Sequence, residues 1–264
     1  MKIIVEYKII SGNVIETRRS FMTVRSPGEP KPRRAPRLAG NSSERKIKAN
    51  EQETVKRLAR TINTNFRAGN CLLTLKYDDE HLPGTYEAAE AYIKKVLDKA
   101  RKKFKKLYGR NPKVVWVTAN WSTKHQCPAR LHHHLVVEDG LEKIITELWE
   151  TCQGIILTYL DNRLDHSDLA AYLLNNVHGK PGKERYHSTR NMVKPFITEP
   201  VPVDDVENVQ PEKGAVIKEH SNTTDEDGRV ISAYLRCTVP VAPKVRGGKL
   251  VMPRPKKRGG KKLE

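Results

Sequence analysis

Three consecutive histidines, His132 to His134, lie inside an apolar, β-branched run that ends with Leu135, Val136 and Val137. Such a run predicts a β-strand, in which successive side chains point to opposite faces. His132 and His134 would then share one face, about 7 Å apart, and His133 would take the other. Two neutral imidazoles on one face can hold a metal ion. The residues alone also allow ordinary polar strand positions or contacts with phosphate.

The chain carries a large excess of positive charge, with 49 Lys and Arg against 31 Asp and Glu, a formal net charge of +18. Such an excess favours a polyanionic partner, either nucleic acid or an anionic membrane surface. No apolar run approaches the roughly 20 residues of a membrane span, and the early Glu6 does not fit a signal peptide. We therefore expect a nucleic-acid partner and no membrane. The alternative is that the charge serves only solubility.

The cysteines are far apart and form no C-x-x-C pair, which predicts neither a structural zinc site nor a disulfide framework. We therefore expect a cytoplasmic protein. The four positions are Cys71, Cys127, Cys152 and Cys237.

The patterning divides the chain into four segments. These are an N-terminal hairpin with a basic, Pro-rich loop (1–41), a main domain (42–195), a linker with a C-terminal hairpin (196–240) and a disordered basic tail (241–264). In the main domain, helices are predicted over 42–68, 85–108 and 141–153, and from 165 or 167 onward; strands are predicted over 71–77, 114–120, 130–137 and 155–160. Thr85 and Gly109 are expected to begin and end the second helix, and Ser167 or Asp165 is expected to cap the last one. The strand at 71–77 shows little alternation, which indicates a position covered on both faces.

The helix predicted over 85–108 carries a run of Lys and Arg that includes Lys102. A basic run on a helix is usually a solvated face, but its single sign also suits contact with DNA. Lys102 is therefore a candidate DNA contact.

The order of these motifs resembles a known family. A strand ending at Tyr77 is followed by the histidine strand, then by a helix with Asp168 to Tyr172, then by the segment from Ser188 to Asn191. This order is similar to that of the HUH endonucleases, specifically the single-tyrosine rolling-circle replication initiators of phages and bacterial mobile elements. The resemblance covers roughly residues 45–195.

The resemblance implies an α+β fold of the ferredoxin/RRM-like type. It has a five-stranded antiparallel sheet, helices on one face and the His-x-His strand at the centre. His132 and His134 match the metal-ligand pair, and Tyr172 matches the nucleophile. His133, between the ligands, is expected to face the helical layer. Tyr159 and Tyr186 are weaker alternatives for the nucleophile.

The sequence departs from the family pattern at two points. Many relatives supply a third metal ligand from the strand before the histidines, but Val117 to Asn120 contain no acid or imidazole. Asn120 could offer an amide oxygen, or His125 or Gln126 could reach in from the loop. Relatives also often carry Lys three residues after the tyrosine, where this chain has Asn175.

The function implied is nicking and rejoining of single-stranded or hairpin origin DNA in a bacterial cytoplasm, with a divalent ion, Mn²⁺ or Mg²⁺, and a 5′-phosphotyrosine intermediate. The chain has no P-loop motif, so a host helicase and polymerase would be partners. Arg130, Arg190 and Asn191 are further candidate DNA contacts. A non-catalytic DNA-binding repressor, or a transposase or relaxase of the same superfamily, is the alternative. A histidine-triad hydrolase is set aside because the third alternating position is Val136.

Overall fold

The structure is a computed structural model that describes residues 1–24, 44–149, 152–178, 185–246 and 249–251. The chain divides into two compact units. The histidine unit comprises Leu38–Lys194, and the hairpin unit comprises Met1–Arg37 with Pro195–Glu264. The main domain predicted over 42–195 therefore nearly coincides with the histidine unit.

The described helices and strands follow one another along the chain in this order: β1 (Lys2–Ser11), β2 (Val14–Thr23), α1 (Glu44–Asn65), β3 (Cys71–Tyr77), α2 (Tyr86–Tyr108), β4 (Val114–Ser122), β5 (Cys127–Val137), α3 (Leu141–Leu148), β6 (Cys152–Tyr159), α4 (Ser167–Asn175), β7 (His187–Ser188), β8 (Phe196–Ile197), β9 (Val201–Pro202), β10 (Val216–Thr224), β11 (Val230–Thr238), β12 (Lys244–Arg246) and β13 (Lys249–Val251). No helix among the described residues is both long and apolar enough to cross a membrane.

The histidine unit is built on a five-stranded sheet in the order β6-β3-β5-β4-β7. All of its strand pairs are antiparallel. The succession β3-α2-β4-β5-α3-β6 is the βαββαβ arrangement of ferredoxin-like folds. The predicted α+β class, the antiparallel sheet and the central position of the histidine strand, β5, are confirmed.

Helices α2 and α3 cover one face of this sheet. Helix α2 begins where the Thr85 hydroxyl accepts a hydrogen bond from the Ala88 amide (3.1 Å), and it ends at Gly109, whose φ of 70° suits glycine. Its stripe, which includes Ile93 and Phe104, is fully buried against the strands. Helix α3 is shorter than predicted, because it ends at Leu148 and the chain enters β6 at Cys152.

Helices α1 and α4 pack on the opposite face, which corrects the prediction of helices on one face only. Val117 of β4 and Val136 of β5 point to this side, where they are buried with Leu58 and Ile62 of α1 and Leu173 of α4. These strands carry apolar side chains on both faces, so both faces need a cover to remove them from water.

Helix α4 is fixed at its start by a polar network with α1. His166, and not Ser167 or Asp165, occupies the N-cap position, and its side chain makes no cap hydrogen bond. The predicted Asp165 nevertheless contributes, because its carboxylate accepts from the Ser167 amide in the first turn (3.0 Å). The His166 amide donates to Asn63 Oδ1 (2.8 Å), and Asn63 Nδ2 donates to Asp165 Oδ1 (3.2 Å). These bonds set the position of the helix that carries Tyr172.

The hairpin unit joins segments that the sequence suggested were separate. Its main sheet runs β10-β11-β2-β1-β8, and β9 also pairs with β1. The N-terminal and C-terminal hairpins are therefore neighbours through β2 and β11, and the predicted linker supplies β8 and β9. A lone two-stranded hairpin is only marginally stable, whereas a larger sheet can bury an apolar face; here Ile10, Ile15, Cys237 and Val239 form a buried cluster.

The tail predicted to be disordered from residue 241 pairs in part, since β12 and β13 form a short antiparallel ladder. The tail residues 247–248 and 252–264 lie outside the described residues, as does the whole of the predicted Pro-rich loop, residues 26–41.

Candidate functional site

His132 and His134 converge on one point of the face covered by α1 and α4. Their Nε2 atoms lie 3.1 Å apart, and their ring planes are almost perpendicular, at 85°. Both side chains point to the same side of β5, as strand alternation predicts. The pair forms the centre of the candidate site.

The other nitrogen of each imidazole is held by a different partner. His132 Nδ1 lies 2.8 Å from the backbone oxygen of Arg130. Because a carbonyl can only accept, His132 Nδ1 carries a proton and its Nε2 is a free base. His134 Nδ1 lies 2.9 Å from the Thr74 hydroxyl, which can donate or accept. Thr74 is therefore compatible with either neutral tautomer of His134.

Both histidines are neutral at ordinary pH. Burial lowers the pKa of His134 to about 3, and the neighbouring His132 and Lys76 add to the shift. Burial also lowers the pKa of His132, with Lys76 contributing. A neutral imidazole is the form that binds metal ions.

Tyr172 of α4 lies against His134, one member of this pair. Its ring centroid is 5.2 Å from that of His134, and the side chain remains 44% exposed. Its hydroxyl has no hydrogen-bond partner among the described residues, and burial raises its pKa. The alternative tyrosines differ: Tyr159 is exposed on edge strand β6, and Tyr186 packs against the α1 and α4 core.

His133 points to the opposite face, toward α2 and α3, as expected. It is fully buried and bonded to the Tyr77 hydroxyl (2.6 Å) and the Thr118 hydroxyl (3.1 Å). Burial lowers its pKa to about 3. His133 therefore anchors β5 on the side of the sheet that α2 and α3 cover, and it does not belong to the metal pair.

Two residues of β3, Thr74 and Lys76, belong to the site although sequence reasoning did not select them. Thr74 pairs with His134 and Lys76 with His132 across the two strands. Lys76 is exposed, and its ammonium has no ion-pair partner among the described residues. It therefore brings a free positive charge beside the histidines. The sequence predicts that Lys76 and Thr74 share one face of β3, because they are two residues apart. It does not predict the register of β3 on β5, which places them beside the histidines.

Asn120, predicted as a possible third ligand, is engaged elsewhere. Its Nδ2 donates to the His178 carbonyl (2.8 Å), and its Oδ1 accepts from the His178 amide (2.9 Å). A register shift between Ala119 and Trp121 leaves Asn120 outside the regular pairing with β5, and such an irregularity re-aims a side chain. Within the described part of the chain, no hydrogen bond or ring contact joins His125 or Gln126 to the pair.

The side chains of two predicted DNA contacts, Lys102 and Arg130, are directed away from the histidine pair. Lys102 lies on α2 and so on the opposite side of the sheet from His132 and His134. The Arg130 guanidinium forms an ion pair with Asp79 and donates to the Tyr77 carbonyl (3.1 Å). Arg130 contacts the histidine pair through its backbone oxygen, which accepts a hydrogen bond from His132 Nδ1.

Arg190 and Asn191 lie toward the other end of β4. Thr189 bonds to the backbone of Val114 at the start of that strand (3.0 Å), and Asn191 Nδ2 donates to the Asn111 carbonyl (2.9 Å). The histidines pair with the far half of β4. Asn191 therefore has a structural role here, while Arg190 is an exposed cation away from the pair.

The two histidines fit a metal ion as an incomplete ligand set. Nitrogen ligands lie about 2.0–2.1 Å from an ion such as zinc, so two Nε2 atoms 3.1 Å apart are close enough to bind the same ion. In the described ranges, no group of three or more His, Cys, Asp or Glu side chains could hold a metal. Water and substrate oxygens would have to complete the shell.

Comparisons with models of protein families, with curated proteins and with solved structures found no match.

Proposed function

We propose that the histidine unit is a metal-assisted DNA nickase and strand transferase that uses Tyr172 as its nucleophile. One observation carries the proposal: an exposed tyrosine without a hydrogen-bond partner in the described structure lies against a histidine pair whose Nε2 atoms converge to 3.1 Å. This combines a nucleophile with neutral metal ligands on one surface.

Tyr172 would attack the phosphorus of a scissile phosphodiester through its hydroxyl oxygen. The bond from phosphorus to the 3′ oxygen breaks, which leaves a 5′-phosphotyrosine and a 3′ hydroxyl. The phenol loses its proton and the departing oxygen gains one. Attack by a 3′ hydroxyl on the phosphotyrosine reverses these changes and rejoins a strand.

The histidines would hold a divalent ion, Mn²⁺ or Mg²⁺, which supplies Lewis-acid activation of the phosphate when bound. Imidazole ligands suit Mn²⁺ better than Mg²⁺. Lys76, beside His132, is suited to contact a non-bridging phosphate oxygen or the next phosphate along the strand.

The substrate in this proposal is single-stranded or hairpin DNA at a replication origin, in the bacterial cytoplasm. The net charge of +18 supports a polyanionic partner. The resemblance to rolling-circle initiators supports a role in replication, in which a host helicase and polymerase act after the nick. A transposase or relaxase would use the same chemistry on another DNA junction.

One observation favours a second candidate, a non-catalytic DNA-binding repressor. The pair lacks a third protein ligand in the described structure, because the Asn120 amide is used by His178. A chain that binds metal too weakly for chemistry would keep only its basic surface.

The test is covalent capture. The full chain is incubated with Mn²⁺ and labelled single-stranded oligonucleotides tiled across the replicon that encodes it, and then run on denaturing gels. We expect an adduct with the wild type and with Tyr159→Phe, and none with Tyr172→Phe or in EDTA. Binding without an adduct under all these conditions would favour the repressor.

A further inference from the structure

A cleft of about 440 Å³ opens in the histidine unit between α1, α4 and the loop from β4 to β5. This volume falls within the roughly 300–1,000 Å³ of typical small-ligand sites. The residues that matter here are Gln52 of α1, Asn175 of α4, and Trp121 and His178. None of them takes part in the proposed chemistry.

Trp121 and His178 form a flat aromatic stack at the cleft. Their ring centroids lie 3.9 Å apart, and their planes differ by 10°. Backbone contacts hold the stack in place, because the Asn120 side chain exchanges two hydrogen bonds with the His178 backbone. The amides of Asn120 and Trp121 also both donate to the Asn176 carbonyl. Unpaired nucleobases bind proteins by stacking on such rings.

The cleft also offers polar groups suited to the edge of a base. The side-chain amides of Gln52 and Asn175 line it, and neither has a hydrogen-bond partner among the described residues. An amide can donate and accept together, which matches the mixed donors and acceptors of base edges. Arg185 also lines the cleft. Its guanidinium donates to the carbonyls of Leu174 (3.0 Å) and Val177 (2.7 Å) and forms an ion pair with Glu51 (3.6 Å).

The cleft lies next to the candidate nucleophile. Asn175 is three residues after Tyr172 on α4, which is about 5 Å along the helix axis. Asn176, the next residue along the chain, donates from Nδ2 to the Tyr172 carbonyl (2.7 Å). A strand whose phosphate reaches Tyr172, and which runs toward the C-terminal end of α4, would therefore meet the cleft.

We propose that this cleft receives one unpaired base of a DNA strand, next to the phosphate at Tyr172, and stacks it on the Trp121–His178 pair. The choice of DNA as ligand rests on the proposed function. A base inside a duplex is covered on both faces and paired at its edge, so the cleft selects single-stranded substrate.

The test compares two probes in EDTA, where cleavage is blocked. One is oligo(dT) of about 20 nucleotides, longer than the usual site of a single domain, and the other is a fully abasic strand of the same length. We expect Trp121→Ala to weaken oligo(dT) binding roughly 5- to 150-fold, the range for one lost stacking contact. Binding of the abasic strand should change less than about twofold.

Matched variants guard against a folding defect. Trp121→Phe keeps a ring and should retain most of the affinity for oligo(dT). His178→Ala removes the exposed partner of the stack and should repeat the base-dependent loss. Tyr159→Ala, which removes an exposed aromatic on β6, should leave both probes unaffected. An equal effect of Trp121→Ala and His178→Ala on both probes, or no effect on either, would overturn the proposal.

The source of the base is tested by competition. Failure of millimolar dTMP to displace oligo(dT) supports a DNA strand as the ligand. Displacement from the wild type but not from Trp121→Ala would make the cleft a site for free nucleotides and overturn the DNA assignment. Adduct formation is measured separately. Base-dependent binding without any adduct would refute the nickase and leave the base-binding cleft standing. An adduct without base-dependent binding would refute the cleft and leave the nickase standing.

Discussion

The Thr74 hydroxyl lies 2.9 Å from Nδ1 of His134, across the pairing of β3 with β5. Outer partners of this kind orient a ligand histidine, and their loss typically costs 10- to 100-fold in metal affinity. Thr74→Val removes the hydroxyl at nearly constant volume. We expect it to weaken Mn²⁺ binding about 10-fold or more, measured by calorimetry. Thr74→Ser should bind like the wild type, and equal affinities for all three proteins would contradict this role.

Lys76 is predicted to bind DNA phosphate and not to assist metal binding. Lys76→Met should weaken single-stranded DNA binding and reduce by about one the slope of log affinity against log salt concentration. Mn²⁺ affinity should stay the same or rise, because a cation beside the ligands is removed. Lys102→Met is the matched control from the opposite side of the sheet. If it produced the larger loss of DNA binding, the DNA path would lie on the α2 face.

The rate of adduct formation is predicted to rise with pH. Burial raises the pKa of Tyr172 above its ordinary value, which is about 10. Its hydroxyl is therefore protonated near neutrality, and the phenolate fraction grows about tenfold per pH unit below that pKa. Single-turnover rates in Mn²⁺ between about pH 6 and pH 9 measure this. A flat profile would mean that another group removes the proton.

His133 is predicted to make the histidine unit less stable in acid. Burial lowers its pKa to about 3, whereas an unfolded histidine titrates near 6.5. Below about pH 6.5 the unfolded state binds a proton that the native state excludes, so the free energy of unfolding falls as pH falls toward 3. The limiting slope for one histidine is about 1.4 kcal/mol per pH unit.

Urea unfolding in EDTA at several pH values tests this effect, with His133→Gln as the comparison. The substitution lowers stability at pH 7, because the bonds to Tyr77 and Thr118 are disturbed, and it should also flatten the pH dependence. If the free energy of unfolding of His133→Gln varied with pH as steeply as that of the wild type, the acid sensitivity would come from other groups. His132 and His134 are such groups, because their pKa values are also lowered.

Local patterns predicted the parts of the site that depend on one strand. Alternation alone predicted that His132 and His134 share a face and that His133 points away. The caps of α2 were also readable, because Thr85 and Gly109 act within a turn of their positions.

The parts that depend on register between distant strands were not readable. Thr74 and Lys76 join the site through the pairing of β3 with β5, and Asn120 leaves it through one irregularity in β4. The joining of the two terminal hairpins likewise depends on contacts between residues more than 200 positions apart, such as Ile15 with Cys237. Short sequence windows carry no signal for such pairings.

His132 and His134 are held by partners that mutation can remove to different degrees. The partner of His132 Nδ1 is a backbone carbonyl, which every residue type at position 130 supplies, so mutation there does not remove it. The partner of His134 is a side chain, which a single nucleotide change can alter. Variation in metal dependence among descendants of this chain should therefore arise at position 74 before it arises around His132.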